Sequence, residues 1–170
     1  IHRGGVVNNT TVATDTFGYT RVGGVAGNLV DRYIQNVSVT GNVSGDSAVG
    51  AIAGNVDGGD ISTSYATADS TVSAANSTVG GLVGNIVSGK VRFSYTLATV
   101  TGTTAVGGAV GEVSGGVVRD LFAAGPVSKT TDSGESGGVV GTKSGGTVEA
   151  VYWDTTQTTQ SSSANNAGEG

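Results

Sequence analysis

Residues able to do chemistry are few and dispersed in this chain of 170 residues, which has no cysteine and a single histidine, His2. Zinc and iron sites need clusters of cysteine or histidine, and a Ser–His–Asp triad would have to be built on that terminal histidine. The tightest carboxylate pair, Asp57-Gly58-Gly59-Asp60, is typical of a polar turn, with weak Ca²⁺ binding as the alternative. No carboxylate pair recurs in register, as sugar hydrolysis would require. The sequence therefore predicts a protein that is not an enzyme and uses no metal or cofactor.

Trp153 and four asparagines are the remaining residues with a chemistry of their own. The Trp153 indole is either a sugar-stacking platform or, as we expect, a lid packed over the end of the core. Asn-x-Ser/Thr sequons make Asn9, Asn36, Asn42 and Asn76 candidate N-glycan acceptors if the protein is secreted by a cell that glycosylates. Unmodified turn asparagines are the alternative interpretation.

Composition excludes several classes of partner. The net charge is −5 and the 8 basic residues are scattered, whereas nucleic-acid binding needs a clustered basic surface. No segment approaches the ~20 apolar residues of a membrane span. With 31 glycines, 1 proline and 12% charged residues, the chain suits short strands and tight turns better than helices. We expect an all-β protein with neither a nucleic-acid partner nor a membrane span.

Five glycine-rich pentapeptides recur along the chain, and the glycine that closes each one is taken as position zero of its unit. Successive closing glycines lie 27, 30, 27 and 30 residues apart. Counting back 27 residues from the first places an incomplete unit at the N-terminus, with Val7 on the seventh position. The repeat glycines are Gly27, Gly54, Gly84, Gly111 and Gly141.

Residues of one kind occupy the same position in each unit. The seventh residue after the repeat glycine is β-branched in all five units, and the eleventh is aromatic in four, with Ser38 as the exception. Both columns are predicted to lie in the structural core, because stacked units bury ladders of like residues. The β-branched column is Ile34, Ile61, Val91, Val118 and Val148; the aromatic column is Tyr65, Tyr95, Phe122 and Tyr152.

This pattern favours a β-solenoid, a β-helix-like stack of about six repeats of 27–30 residues over positions 1–153. Residues 154–170 form a tail rich in Ser, Thr, Gln and Gly. A β-sandwich or prism of sequential hairpins is the alternative, and it predicts antiparallel neighbours. The ninth position matches neither an inward nor an outward residue, so a bulge or bend is expected there. It holds Asn36, Thr63, Phe93, Asp120 and Ala150.

The segment Gly80-Gly81-Leu82-Val83-Gly84-Asn85, followed by Ser88-Gly89-Lys90-Val91 and then Ser94-Tyr95, resembles the GLUG repeat, named for its Gly-Leu-x-Gly core. The ending Val151-Tyr152-Trp153-Asp154-Thr155 is similar to the way such arrays close. The resemblance covers nearly the whole chain. The departures are Ala51 for glycine, Ser38 for the aromatic residue, and Glu112 and Thr142 for the frequent asparagine.

The resemblance implies an extracellular or cell-surface protein of bacterial or archaeal type, in the company of adhesins, large surface proteins and non-catalytic parts of IgA-type peptidases. It implies no single activity. Because the repeat frame begins and ends inside a unit without an obvious polar cap, we expect a stalk segment or filament subunit whose partners are other copies of itself or flanking repeats of a longer chain. The alternative is an adhesin that binds host glycan or protein through a lateral face of the solenoid.

Overall fold

The chain folds as a parallel β-solenoid of about five turns. A computed structural model describes the backbone of residues 6–8 and, with side chains, residues 21–164 and 170. Every ladder between its strands is parallel and joins one turn to the next, and one isolated bridge, Val30 with Gly58, is antiparallel. The predicted solenoid is therefore confirmed, and the alternative of sequential hairpins is wrong. The described turns number about five, against the six predicted.

The turns pass through four sheets, which we number in the order the chain visits them; the last turn has no strand in sheet 4. Sheet 1 contains Arg21–Gly23, Ala48–Gly50, Thr78–Gly80, Ala105–Gly107 and Glu135–Gly137. Sheet 2 contains Ala26–Val30, Ala53–Asp57, Val83–Ile86, Val110–Val113 and Val140–Lys143. Sheet 3 contains Val6–Asn8, Tyr33–Gln35, Ser38–Thr40, Asp60–Ser62, Tyr65–Ala66, Lys90–Thr96, Val117–Ala123 and Thr147–Trp153. Sheet 4 contains Asn42–Gly45, Thr71–Ala74, Thr99–Gly102 and Val127–Lys129.

Like residues stack on like residues, in the register that the repeat count predicts. In sheet 3, Val91 lies opposite Ile61 on one side and Val118 on the other. Side chains of the β-branched column are fully buried in four turns, and Val148 in the last turn is half-buried against the same core. A period of two along each strand then points alternate residues inward. The solenoid interior is one continuous cluster of Ile, Val, Leu and Ala.

The repeat glycines lie where sheet 2 passes close to the backbone of sheet 1. A Cβ added at Gly84 would sit 2.5 Å from the Val49 nitrogen, and one at Gly111 would sit 2.7 Å from the Val79 nitrogen. Backbone atoms cannot yield as a flexible side chain can, so these positions accept no side chain. The glycine period therefore marks the thinnest part of each turn.

A polar ladder follows the repeat glycines on sheet 2. The Asn55 side-chain amide donates to Asn28 Oδ1 at 2.7 Å, and the Asn85 amide donates to Asn55 Oδ1 at 3.1 Å. Asn55 is buried, and each amide in such a stack donates to one neighbour and accepts from the other. In the next turns Glu112 and Thr142 occupy this column.

The ninth position is a left-handed corner in every turn. Its φ angles lie between 49° and 56°, a region that non-glycine residues rarely adopt. The predicted bend is therefore confirmed. It has a further effect: the residues at positions seven, ten and twelve point inward, whereas those at eight, nine and eleven point outward, as the burial pattern of Lys90–Thr96 shows. The corner shifts the two-residue alternation by one.

Placing the aromatic column in the core is wrong for this reason. Tyr95, Phe122 and Tyr152 are exposed, and Tyr65 is half-buried. Simple alternation from the buried seventh position would put the eleventh position inside as well. The inward positions after the corner are instead filled by Val37, Ser64, Ser94, Leu121 and Val151.

A cap covers the C-terminal end of the solenoid. The expectation of an end without a polar cap is therefore wrong, whereas Trp153 packs against the core there, as expected. Trp153 is 6% exposed, and a Cβ at Gly138 would collide with its ring. Asp154 Oδ1 accepts the backbone N–H of Thr156 at the start of a short helix, Thr155–Thr158. The following residues meet free backbone groups of the last turn: Gly138 N–H donates to the Ser162 oxygen, and Val140 N–H to Ser163 Oγ. The polar tail thus replaces a further turn at this end.

The first described strand, Val6–Asn8, pairs with Ser38–Thr40, so Val7 lies opposite Val39. The repeat count placed Val7 on the column of Ile34 instead. That expectation is wrong, because the first turn is out of step with the 27-residue frame.

Candidate recognition surface

Sheet 3 carries a row of exposed aromatic rings along its outer side. Phe93 is 50% exposed, Tyr95 40%, Phe122 41% and Tyr152 48%. Together with Asp120 they line a shallow open groove of about 390 Å³, which runs across the third to fifth turns. We call this feature the aromatic groove. Its rings come from two columns, the corner position and the eleventh position, which the left-handed corner brings to the same surface.

Contacts of two kinds hold two rings of this surface, Tyr95 and Phe93, in place. Tyr65 and Tyr95 stack with their ring centres 4.8 Å apart and their planes 3° from parallel. The guanidinium groups of Arg119 and Arg92 lie 5.3 Å and 5.6 Å from the centre of the Phe93 ring, within the range of cation–π attraction. Phe93 and Tyr95 therefore have neighbours that hold their rings in place.

The two arginines beside the groove differ in how closely they pair with a carboxylate. Arg92 donates to both carboxylate oxygens of Asp60, at 2.8 Å and 3.3 Å. This hydrogen bonding, with the attraction of the Asp60 charge, raises the pKa of Arg92 above its ordinary value. Arg119 and Asp120 form a looser contact of 3.6 Å, with side chains 41% and 38% exposed. Asp120 is therefore an accessible acceptor on the groove wall.

The Asp57–Asp60 turn has structural partners. Gly58 N–H donates to Ser88 Oγ, and Ser88 Oγ donates to Asp57 Oδ1 at 2.8 Å. Asp60 pairs with Arg92, as described above, and the two carboxylates therefore serve different contacts. Within residues 21–164, no group of three or more acidic or histidine side chains is arranged to hold a metal ion.

The predicted glycan acceptors lie on the outside wherever the structure describes them. Asn36 is exposed at the left-handed corner, and Asn42 is exposed on sheet 4, where its Oδ1 accepts from Thr71 Oγ1 at 2.6 Å. Asn76 is exposed in a loop and donates to the Asp46 carboxylate. Asn9 and His2 lie outside the described residues. Glycosylation of these sites stays a prediction.

Sequence reasoning missed the aromatic groove because it assigned the eleventh column to the core. One signal was available: Phe93 is the one large apolar residue at the corner position, which holds Asn36, Thr63, Asp120 and Ala150 in the other turns. A large apolar residue at a corner that packs nothing inside points to a surface role.

The fold defines the chain as a parallel β-solenoid. No family model, no curated protein and no solved structure matches the chain. Membership of the GLUG family therefore stays a prediction based on the residues quoted above. In the part of the chain that the structure describes, no helix has the length and apolar character needed to span a bilayer.

Proposed function

We propose that the chain is a non-catalytic structural segment of an extracellular surface protein, a rigid spacer of stalk type. The observation that carries this proposal is the uninterrupted parallel stacking of about five turns on a single core. At about 4.8 Å per turn, these turns make a rod about 24 Å long. Such a stack resists bending, because each turn pairs with its neighbours in three or four sheets.

The arrangement of the carboxylates supports a non-catalytic role. Asp57 is engaged by Ser88 and Asp60 by Arg92, contacts that hold a turn and a strand in place. The repeated polar residues likewise contact their counterparts one turn away, as Asn28, Asn55 and Asn85 do. These side chains maintain the stack.

The capped C-terminal end favours a spacer over an open-ended filament subunit. Stacking of another copy on this end would require Ser162 and Ser163 to leave the backbone groups they satisfy. Electron microscopy and light scattering of the purified chain test this choice. Monomeric short rods at high concentration are expected, and ordered polymers would favour the filament subunit instead.

Antibodies against the chain test the proposed location. They should label intact cells of the source organism at the surface. Labelling only after the cells are made permeable would contradict an extracellular role.

The aromatic groove favours a second candidate function, recognition of a host surface through the lateral face of the solenoid. Aromatic residues are enriched at recognition surfaces, and tyrosine is among the residues that most often dominate the binding energy. Beads coated with the chain should adhere to cultured animal cells, and Phe122→Ala should release them. Beads that do not adhere would contradict this second function and leave the spacer role unaffected.

A further inference from the structure

Phe93 lies at a strained backbone position, and the fold does not require a phenyl ring there. Its φ is 50°, in the left-handed region that disfavours bulky side chains. The same corner is built with Asn36, Asp120 or Ala150 in other turns, and the Phe93 side chain is half exposed. Because the corner is left-handed in every turn, its backbone conformation belongs to the fold, and the bulky exposed side chain of Phe93 is the feature that the fold leaves unexplained.

The chemistry of the aromatic groove selects its ligand. Its exposed lining is mainly ring surface, to which the Asp120 carboxylate and the hydroxyls of Tyr95 and Tyr152 add polar groups at the edge. Apolar surface edged with hydrogen-bonding oxygens matches a sugar, which presents C–H groups on its ring faces and hydroxyl donors at its edges. Asp120 is the one carboxylate or cation in the groove lining, and the chain carries a net charge of −5. Both features disfavour an anionic ligand.

The spacing of the groove favours a chain-like ligand. Tyr95, Phe122 and Tyr152 follow one another at one ring per turn in a single register column. The repeat is about 4.8 Å, the separation of parallel strands. A ligand that fills the groove along the solenoid axis must itself present similar groups repeatedly.

We infer that the aromatic groove binds a neutral, linear oligosaccharide lying along the solenoid axis. The rings of Tyr95, Phe122 and Tyr152 pack against successive sugars, Phe93 forms the opposite wall, and Asp120 accepts from a sugar hydroxyl. This inference rests on the second proposed function, recognition through the lateral face, and names its ligand class. The Arg92 and Arg119 guanidinium groups keep the Phe93 wall in place.

NMR titration of the full chain tests the inference, with hexasaccharides of β-linked glucose and of N-acetylglucosamine as neutral probes and a galacturonic acid hexamer as the anionic probe. At least one neutral hexamer should shift the resonances of Phe93, Tyr95, Phe122 and Tyr152. Phe122→Ala should weaken its binding about tenfold, which corresponds to ~1.4 kcal/mol. Val87→Thr, which removes an exposed apolar side chain outside the groove lining, should leave binding unchanged.

Three results would overturn the inference: no shift with either neutral hexamer, binding that Phe122→Ala does not weaken, or equal binding of the anionic hexamer. Phe93→Asn is a second variant, and asparagine adopts the positive φ of this corner at least as readily as phenylalanine does. The variant should stay folded and lose affinity. The bead assay distinguishes failure of the sugar inference from failure of the second proposed function on which it rests. Adhesion that survives enzymatic removal of cell-surface glycans, but is lost in Phe122→Ala, would keep lateral recognition and overturn the sugar ligand.

Discussion

At the scale of single residues, the outcome of a substitution depends on which side of the left-handed corner the residue lies. Val118 and Phe122 belong to one strand, four residues apart, yet Val118 is fully buried and Phe122 is 41% exposed. Val118→Asp should destabilise the protein by about 4 kcal/mol or more, because it buries an unpaired charge. Phe122→Ser should cost less than about 1 kcal/mol.

Urea denaturation of the two variants measures both free energies of unfolding. A loss in Phe122→Ser as large as that in Val118→Asp would mean that the aromatic column is part of the core after all.

Substitutions at the repeat glycines should reduce stability by different amounts in different turns. Gly84→Ala would force a Cβ to within 2.5 Å of the Val49 nitrogen and 2.6 Å of the Ala48 carbonyl carbon, so we expect a loss of about 3 kcal/mol. Gly27→Ala in the first turn meets only the carbonyl of Arg21, at 2.8 Å for its oxygen, and should cost less. Thermal unfolding of both variants would measure this difference. Equal melting temperatures would contradict the close approach of sheets 1 and 2.

The sequence predicts well which residues stack in one column, but not whether the side chains of a column point inward or outward. Glycine spacing and the β-branched position fix which residues stack, and the structure places Ile61, Val91 and Val118 in one buried ladder. The direction of the aromatic column depends on the backbone angle at the ninth position. Of the residues there, only Asn36 and Asp120 are types that commonly adopt a positive φ, so the reversal of alternation could not be deduced.

At the scale of elements, the left-handed corner is the feature that converts one long strand into a bent one. Thr63 is the least suitable residue at this corner, since it is β-branched and has a φ of 51°. Thr63→Asn should stabilise the protein by about 1 kcal/mol, because asparagine tolerates this conformation better.

Thr147→Asn serves as the control for this change. Thr147 is exposed in the strand Thr147–Trp153 and does not have a positive φ, so the same substitution should bring no gain there. Chemical denaturation measures both variants. Destabilisation by Thr63→Asn would contradict the proposed strain at the corner.

At the scale of the whole molecule, the cap decides whether one end of the solenoid is available for association. Removal of residues 154–170 would take away the hydrogen-bond acceptors of the Trp153 ring and of the Gly138 and Val140 backbone N–H groups. We expect the shortened chain to melt at a lower temperature and to associate, because uncovered strand edges pair with other chains. Light scattering measures the association; a shortened chain that stays monomeric and equally stable would contradict a capping role.

Beyond the lid expected at Trp153, the cap could not be predicted from the repeat pattern, because the tail has no counterpart in the other turns. Its contacts depend on single residues, such as Ser163 Oγ, which accepts from Val140 N–H at 2.9 Å and donates to the Val140 oxygen at 3.1 Å. A composition rich in Ser, Thr and Gln is equally compatible with an unattached tail.

Each repeat forms one complete turn that stacks in register on the next. Deleting residues 85–111, one 27-residue unit between two repeat glycines, tests this arrangement directly. Because the chain has no cysteine, spin labels can be attached at Thr63→Cys and Ala150→Cys, which occupy the same corner column three turns apart. We expect a cooperatively folded product whose labels move from about 14 Å to about 10 Å apart along the axis. An unfolded product, or labels that keep their separation, would contradict it.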